Sequence, residues 1–161
     1  MMDRTLKCQV AYNDYGGYCI PDSSSDRPAA VAVLSGRVYE PKTIEYMRQN
    51  CGEGDILHAG TFFGDFIPGL SGAVNEKSKI LAFEPNLESY HCAMITLEFN
   101  LIQNVILNHA GLGEKKGVLE FKSIAEDGTS LGGGSRFVRE GSSGHANTDE
   151  VAVFTIDEIM D

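Results

Sequence analysis

Apolar positions along this chain fall into short runs, separated by polar and glycine-rich stretches, and the lengths of the runs predict the elements. Ile56–Ala59 and Ile80–Phe83 are runs of four bounded by turn formers, the pattern of buried strands. Each ends beside a residue suited to meet a ligand, Gly60 in one and Glu84 in the other. Residues 105–107 supply a third strand. Between the second and third, Leu87, Tyr90, Met94, Leu97 and Leu101 repeat at steps of three and four, with Pro85 placed for a first turn, and predict the clearest helix of the chain. A weaker helix, carrying Pro68, Gly69 and Gly72, is expected to start near Gly64 and Asp65. Ile44 and Met47, after Pro41, predict a short helix over residues 43–49 that leads into the first strand. Strand, helix, strand, helix, strand at this spacing predicts parallel crossovers and an α/β class. Ligands in such sheets sit outside the carboxyl ends of the strands, where Gly60 and Glu84 fall.

The flanks read differently. The first thirty residues carry Gly16, Gly17 and the turn-forming run 21–26, and predict an irregular arm or short hairpin with no core; residues 31–34 form a short apolar segment. Residues 118–122 and 151–156 predict two further strands, antiparallel because no helical pattern separates them from their neighbours. Residues 126–150, rich in glycine and serine, form a connection far longer than the usual ~4–6 residues, and such loops are either mobile or functional. The last residues, DEIMD, begin a helix.

Composition narrows the partners. A chain of 161 residues with 42% apolar content supports one domain with a real core. Its net charge of -10 disfavours nucleic acid and anionic membrane surfaces. No run approaches the ~18 apolar residues of a membrane span, and the start MMDRTLKCQV lacks the apolar core of a signal peptide, so a cytoplasmic protein is expected. Cys8, Cys19, Cys51 and Cys92 are scattered without a C-x-x-C pair or metal spacing and are expected to be reduced thiols, with no metal site.

The turn Gly60-Thr-Phe-Phe-Gly64 lacks both the G-x-G-x-x-G spacing and the Gly-Lys-Ser/Thr end of a P-loop. Glu84 raises the functional reading, because a carboxylate at the end of an apolar strand can accept two hydrogen bonds from a ribose diol. NAD and S-adenosylmethionine share that adenosine. A pyrophosphate on the helix after Gly64 would meet Asp65, whereas a sulfonium and an ammonium tolerate nearby acids, which favours S-adenosylmethionine as the cofactor.

The colinear series RVYEPKTIEYM, GDILHAGTFFGDF, ILAFEPN, NVILNHAGLGEKKGVLEF and VAVFTIDEI, over residues 36 to 161, resembles the FkbM family of S-adenosylmethionine-dependent methyltransferases. The resemblance implies a Rossmann-like class I methyltransferase fold and O-methylation of a sugar or small-molecule hydroxyl. It divides the chain into an irregular arm, 1–35, and a partial donor-binding domain, 36–161. It implies that Gly60 and Gly64 line the methionine end of the donor, that Glu84 holds the ribose, that Pro85 and Asn86 shape the adjoining wall, and that Ala110 and Gly111 border the adenine.

Two departures shape further expectations. Where the family has an acid at the end of the first strand and Gly-Ala-Asn at the turn, this chain reads His58-Ala59-Gly60-Thr61-Phe62; a His58 in contact with the donor would make affinity fall below about pH 6.5. The chain also stops before the family's Lys-x-Asp-x-Glu-Gly strand, so the fold is expected to be truncated, with the first three parallel strands, antiparallel additions and an exposed first-strand edge through which copies associate. No catalytic base is assigned: His109, Asp127 and His145 are loop candidates, and Arg136 and Arg139 are candidates for holding an anionic acceptor. The alternative to an enzyme is a non-catalytic remnant of the fold, acting as a ligand-binding or interaction module.

Overall fold

The computed structural model describes residues 5–138 and 148–160. Its first element is an antiparallel hairpin, β1 (Cys8–Asn13) and β2 (Gly16–Pro21), in which Asn13 pairs with Gly16 and Cys8 with Pro21. Asn13 Oδ1 accepts the Tyr15 N–H at 2.9 Å, the local side-chain bond that makes asparagine a turn former. Two helices follow, α1 (Pro28–Leu34) and α2 (Pro41–Asn50), each begun by a proline whose missing N–H would have had no helical partner there.

The expected alternation comes next: β3 (Ile56–Ala59), α3 (Ile67–Ser71), β4 (Ile80–Phe83), α4 (Leu87–Phe99) and β5 (Val105–Asn108). The three strands are parallel in the order β3-β4-β5, with β3 at an edge, which gives a partial Rossmann-like α/β fold. Register aligns Ile56 with Ile80 and Val105, and His58 with Ala82 and Leu107. The apolar members of that face pack on Ile44 of α2, Ile67 and Leu70 of α3, and Leu97 of α4. On the opposite face Ile106 is half exposed.

A second sheet, in the order β6-β9-β7-β8, is built from β6 (Ala110–Leu112), β7 (Gly117–Lys122), β8 (Arg136–Phe137) and β9 (Thr148–Phe154). The pairs β7–β9 and β7–β8 are antiparallel, as expected for additions, but β6 and β9 run parallel. Both β6 and β8 escape the sequence pattern because they have only three and two residues. The glycine-rich stretch thus contributes β8 and the start of β9, which begins three residues before the expected strand. After Phe154 the chain turns into α5 (Ile156–Met160), whose Glu158 N–H donates to Thr155 Oγ1 at 3.3 Å. No helix among the described residues is long and apolar enough to cross a membrane.

Three expectations need correction. The first thirty residues do hold a core: Tyr18, Cys19 and Ile20 of β2 are fully buried with Ala29, Ala30 and Val33 of α1, Phe63 and Cys92. Turn formers in that segment close a hairpin; they do not keep it from packing. The second correction concerns α4, which exists as predicted but buries Ser89, Cys92, Ala93 and Thr96, while Leu87, Met94 and Leu101 are exposed. The helix lies between the parallel sheet and β2, and its small residues let β2 come within hydrogen-bond reach. Cys19 N–H donates to Thr96 Oγ1 at 3.1 Å, Gly17 N–H to Asn100 Oδ1 at 3.0 Å, and Asn100 Nδ2 to the Gly17 carbonyl at 2.7 Å. Third, α3 starts at Ile67, not at Gly64 and Asp65, because Gly64 is left-handed at φ 82°. Pro85 likewise precedes the cap of α4, a role taken by Asn86, whose side chain accepts the Ser89 N–H at 3.0 Å.

Cys8, Cys19 and Cys92, scattered in sequence, come together in the hairpin core as free thiols. Burial, first among the causes, pushes the Cys19 thiol up to about 12 and raises that of Cys92, so both resist ionisation. No cluster of metal-ligating side chains occurs among the described residues.

Candidate functional site

The site begins where β3 and β4 end. The Phe83 carbonyl accepts the N–H groups of Gly60 at 2.8 Å and Thr61 at 3.0 Å, which folds the β3–α3 turn across the end of β4. Following this turn, Phe62 takes a left-handed φ of 53°, a conformation that costs a side-chain-bearing residue about 1–2 kcal/mol. Glu84 holds it there: Oε2 accepts the Phe62 N–H at 2.7 Å, and Oε1 accepts the Asn86 N–H at 2.8 Å. One carboxylate therefore ties the turn after β3 to the turn after β4.

Glu84 is only 6% exposed, and burial pushes its carboxyl up to about 7, against the opposing pull of the Asn86 and Phe62 N–H groups. Asp65, three residues beyond Phe62, is also raised to about 7, again chiefly by burial, with the charges of Glu40 and Glu84 adding to it. Both acids line a cavity of about 750 Å³ together with Gly60, Phe62, Pro85 and Asn86.

A second wall comes from regions far apart in sequence. Ser24 and Arg27, between the hairpin and α1, meet Ser130 and Gly132 of the long connection. Arg27 Nη2 donates to the Ser130 carbonyl at 2.7 Å, the Ser24 and Ser130 hydroxyls lie 3.2 Å apart, and Gly132 lies against the Arg27 guanidinium. Arg136 lines the same cavity. Ala110 and Gly111 of β6 form a third, apolar side with Phe121 and Phe137, whose rings meet edge to face at 5.1 Å. The Phe137 ring rests against Gly111.

Of the residues expected to bind a ligand, the structure brings Gly60, Glu84, Pro85, Asn86 and Ala110 to one cavity and leaves His58 and Gly64 out of its lining. Gly60, at φ 69°, has open space where a Cβ would be, whereas a Cβ on Gly64 would sit 3.4 Å from Thr96 Cγ2; the first glycine opens on the site and the second packs on α4. His58 Nδ1 pairs with Thr61 Oγ1 at 2.9 Å and its ring lies 5.9 Å from that of Phe66; burial lowers its pKa. His109 and Asp127 are also absent from the lining. His109 Nε2 pairs with the Pro85 carbonyl at 3.0 Å, and exposed Asp127 accepts from Thr129 N and Oγ1. His145 and Arg139 lie outside the described residues. Sequence reasoning missed Ser24, Arg27, Ser130 and Gly132, since nothing local in the chain signals contacts between residues more than 100 positions apart.

No protein-family model and no curated protein matches the chain. Solved structures that overlap part of it include the following two. A candidate rRNA-methylase from Clostridium thermocellum is 21% identical, with a TM-score of 0.40 over 44% of this chain and 39% of that one. A SAM-dependent methyltransferase from Aquifex aeolicus is 25% identical, with a TM-score of 0.41 over 53% of this chain and 45% of that one. The chain thus spans less than half the length of either of these two structures. Overlap at this level leaves the chemistry of the site to be read from its own residues.

Proposed function

We propose that the cavity binds S-adenosylmethionine and that the chain takes part in methyl transfer, with the FkbM resemblance pointing to a hydroxyl acceptor. The observation that carries this reading is Glu84, a nearly buried carboxylate at a strand end that is satisfied on each oxygen by one backbone N–H and keeps a lone pair on each for a further donor. A ribose diol supplies two such donors. The residues present fit the rest of the molecule. Gly60 gives open backbone, Asp65 gives a partly buried acid with no salt-bridge partner among the described residues, and Ala110, Gly111 and Phe137 give an apolar side for a flat base. When bound, the donor supplies an electrophilic methyl on a positively charged sulfur. The chain's part is to hold that charge beside Asp65 and Glu84, to orient it through the two backbone turns, and to exclude water behind Phe62 and Phe137; alignment of this kind carries most of the rate advantage available to methyl transfer.

The test is calorimetric titration with S-adenosylhomocysteine. Wild type is expected to bind and Glu84→Ala to lose roughly ten- to hundred-fold, the equivalent of about 1.5–3 kcal/mol for hydrogen bonds to a charged group. Absence of heat from wild type, or unchanged heat from the variant, would overturn the reading. A module that binds without turnover is favoured by one observation: the end of β3 presents no acid, and His58 is engaged by Thr61. Binding without methyl release across a panel of hydroxyl acceptors would select it.

A further inference from the structure

We propose that the cavity wall formed by Ser24, Arg27, Ser130 and Arg136 binds an anionic group, a carboxylate or phosphate, carried by the molecule that accepts the methyl; this rests on the donor reading above. The chain carries a net charge of -10, yet it places two arginines in the cavity wall and, among the described residues, gives them little compensating charge. Among the described residues the acid paired with Arg27 is Asp26, itself exposed and 3.6 Å from Nε, and that Nε is buried with no hydrogen-bond acceptor there. Arg136 Nη1 reaches the Gly134 carbonyl at 3.3 Å and has no ion-pair partner among the described residues. By contrast, Arg48 bonds the Gly69 carbonyl and lies 3.8 Å from Glu45, and Lys116 lies 2.9 Å from Glu158.

The two cavity acids do not neutralise the arginines. No salt bridge joins Arg27 or Arg136 to Asp65 or Glu84 among the described residues, so the acids and the arginines hold separate parts of the cavity lining. A guanidinium carries five donors in a planar fork matched to carboxylate and phosphate, and the bonds described here use one on each arginine. The Ser24 and Ser130 hydroxyls, 3.2 Å apart, add a donor beside Arg27. A cationic donor on the acid wall and an anionic acceptor on the arginine wall would together balance charges that are otherwise left facing the cavity.

The donor's own carboxylate is the rival source of the anion, and two variants separate it from an acceptor. The full chain, saturated with S-adenosylhomocysteine, is titrated with inorganic phosphate and followed by NMR. Wild type is expected to show saturable shifts at residues 24–27 and 130–136 that weaken as salt rises, and the Arg27→Gln/Arg136→Gln variant to lose at least tenfold in phosphate affinity while binding S-adenosylhomocysteine as wild type does. Arg136→Gln alone, at an exposed position, keeps the test valid if the double variant misfolds, and is expected to lose at least threefold. No saturable phosphate binding, or equal binding by the variants, overturns the proposal. So does a tenfold loss of S-adenosylhomocysteine affinity in either variant, which would assign the arginines to the donor's carboxylate. Failure of wild type to bind S-adenosylhomocysteine at all strikes the donor reading instead.

Discussion

The acid wall and the arginine wall of the cavity are assembled over different distances along the chain. Glu84 grips N–H groups 22 and 2 residues away, both in turns that continue adjacent parallel strands. Arg27 and Ser24 reach Ser130 across 103 and 106 residues, and the segment that carries them hangs from β2, itself hydrogen-bonded to α4. The first wall is fixed once the sheet forms. The second needs the hairpin docked on α4 and the long connection folded back, so its few polar contacts must offset the entropy of ordering two remote segments. A site made this way has one preformed half and one half that depends on tertiary closure.

The strongest way to break that contrast is to undock the hairpin. Asn100→Ala leaves the Gly17 N–H and carbonyl without their partner and is expected to cost about 2–3 kcal/mol of stability. Urea unfolding measures it, and a loss below about 0.5 kcal/mol would show that the hairpin does not depend on this contact.

A pH titration sharpens the acid wall. Asp65 and Glu84 move from ordinary values of 3.8 and 4.5 to about 7 on folding, so between about pH 4.5 and 7 the folded chain keeps protons that the unfolded chain has released. Their contribution to stability is therefore fully present below pH 4 and lost as pH rises to 7, then constant. Glu84→Gln should flatten part of that slope in unfolding curves taken across the window; an unchanged slope would remove Glu84 as its source. Donor affinity runs the other way, because the ionised acids favour a cation, and should weaken as pH falls below about 7. This replaces the expected dependence on His58, which lies outside the cavity lining.

The smallest expected effect probes the clasp. Gly132 sits at φ 50° with its missing Cβ directed at Arg27 Nε, so Gly132→Ala is expected to cost about 1 kcal/mol and to weaken phosphate binding more than S-adenosylhomocysteine binding. Equal weakening of both ligands in calorimetry would mean that the two walls are not separable.

The parallel half was legible because its signals are local. Four-residue apolar runs ending at Gly60 and Glu84 specify strands and place both residues at a carboxyl end. The same logic found α4 but misjudged its buried face. Periodicity reports where apolar residues lie, whereas burial here follows the close approach of β2, which bonds Thr96 and packs on Cys92, and leaves Met94 39% exposed. His58 shows a similar limit: alternation along β3 does not reveal that Thr61 would take its ring nitrogen.

By itself, then, the sequence determined the parallel alternation, the turn after β3 and the acid after β4, since each depends on residues close together in the chain or on strand periodicity. Tertiary structure alone decided that the N-terminal hairpin is core, that Asp65 and Glu84 are raised to about 7 by burial, and that two arginines meet them across one cavity. Those outcomes depend on desolvation and on contacts spanning more than a hundred residues, which no local pattern encodes.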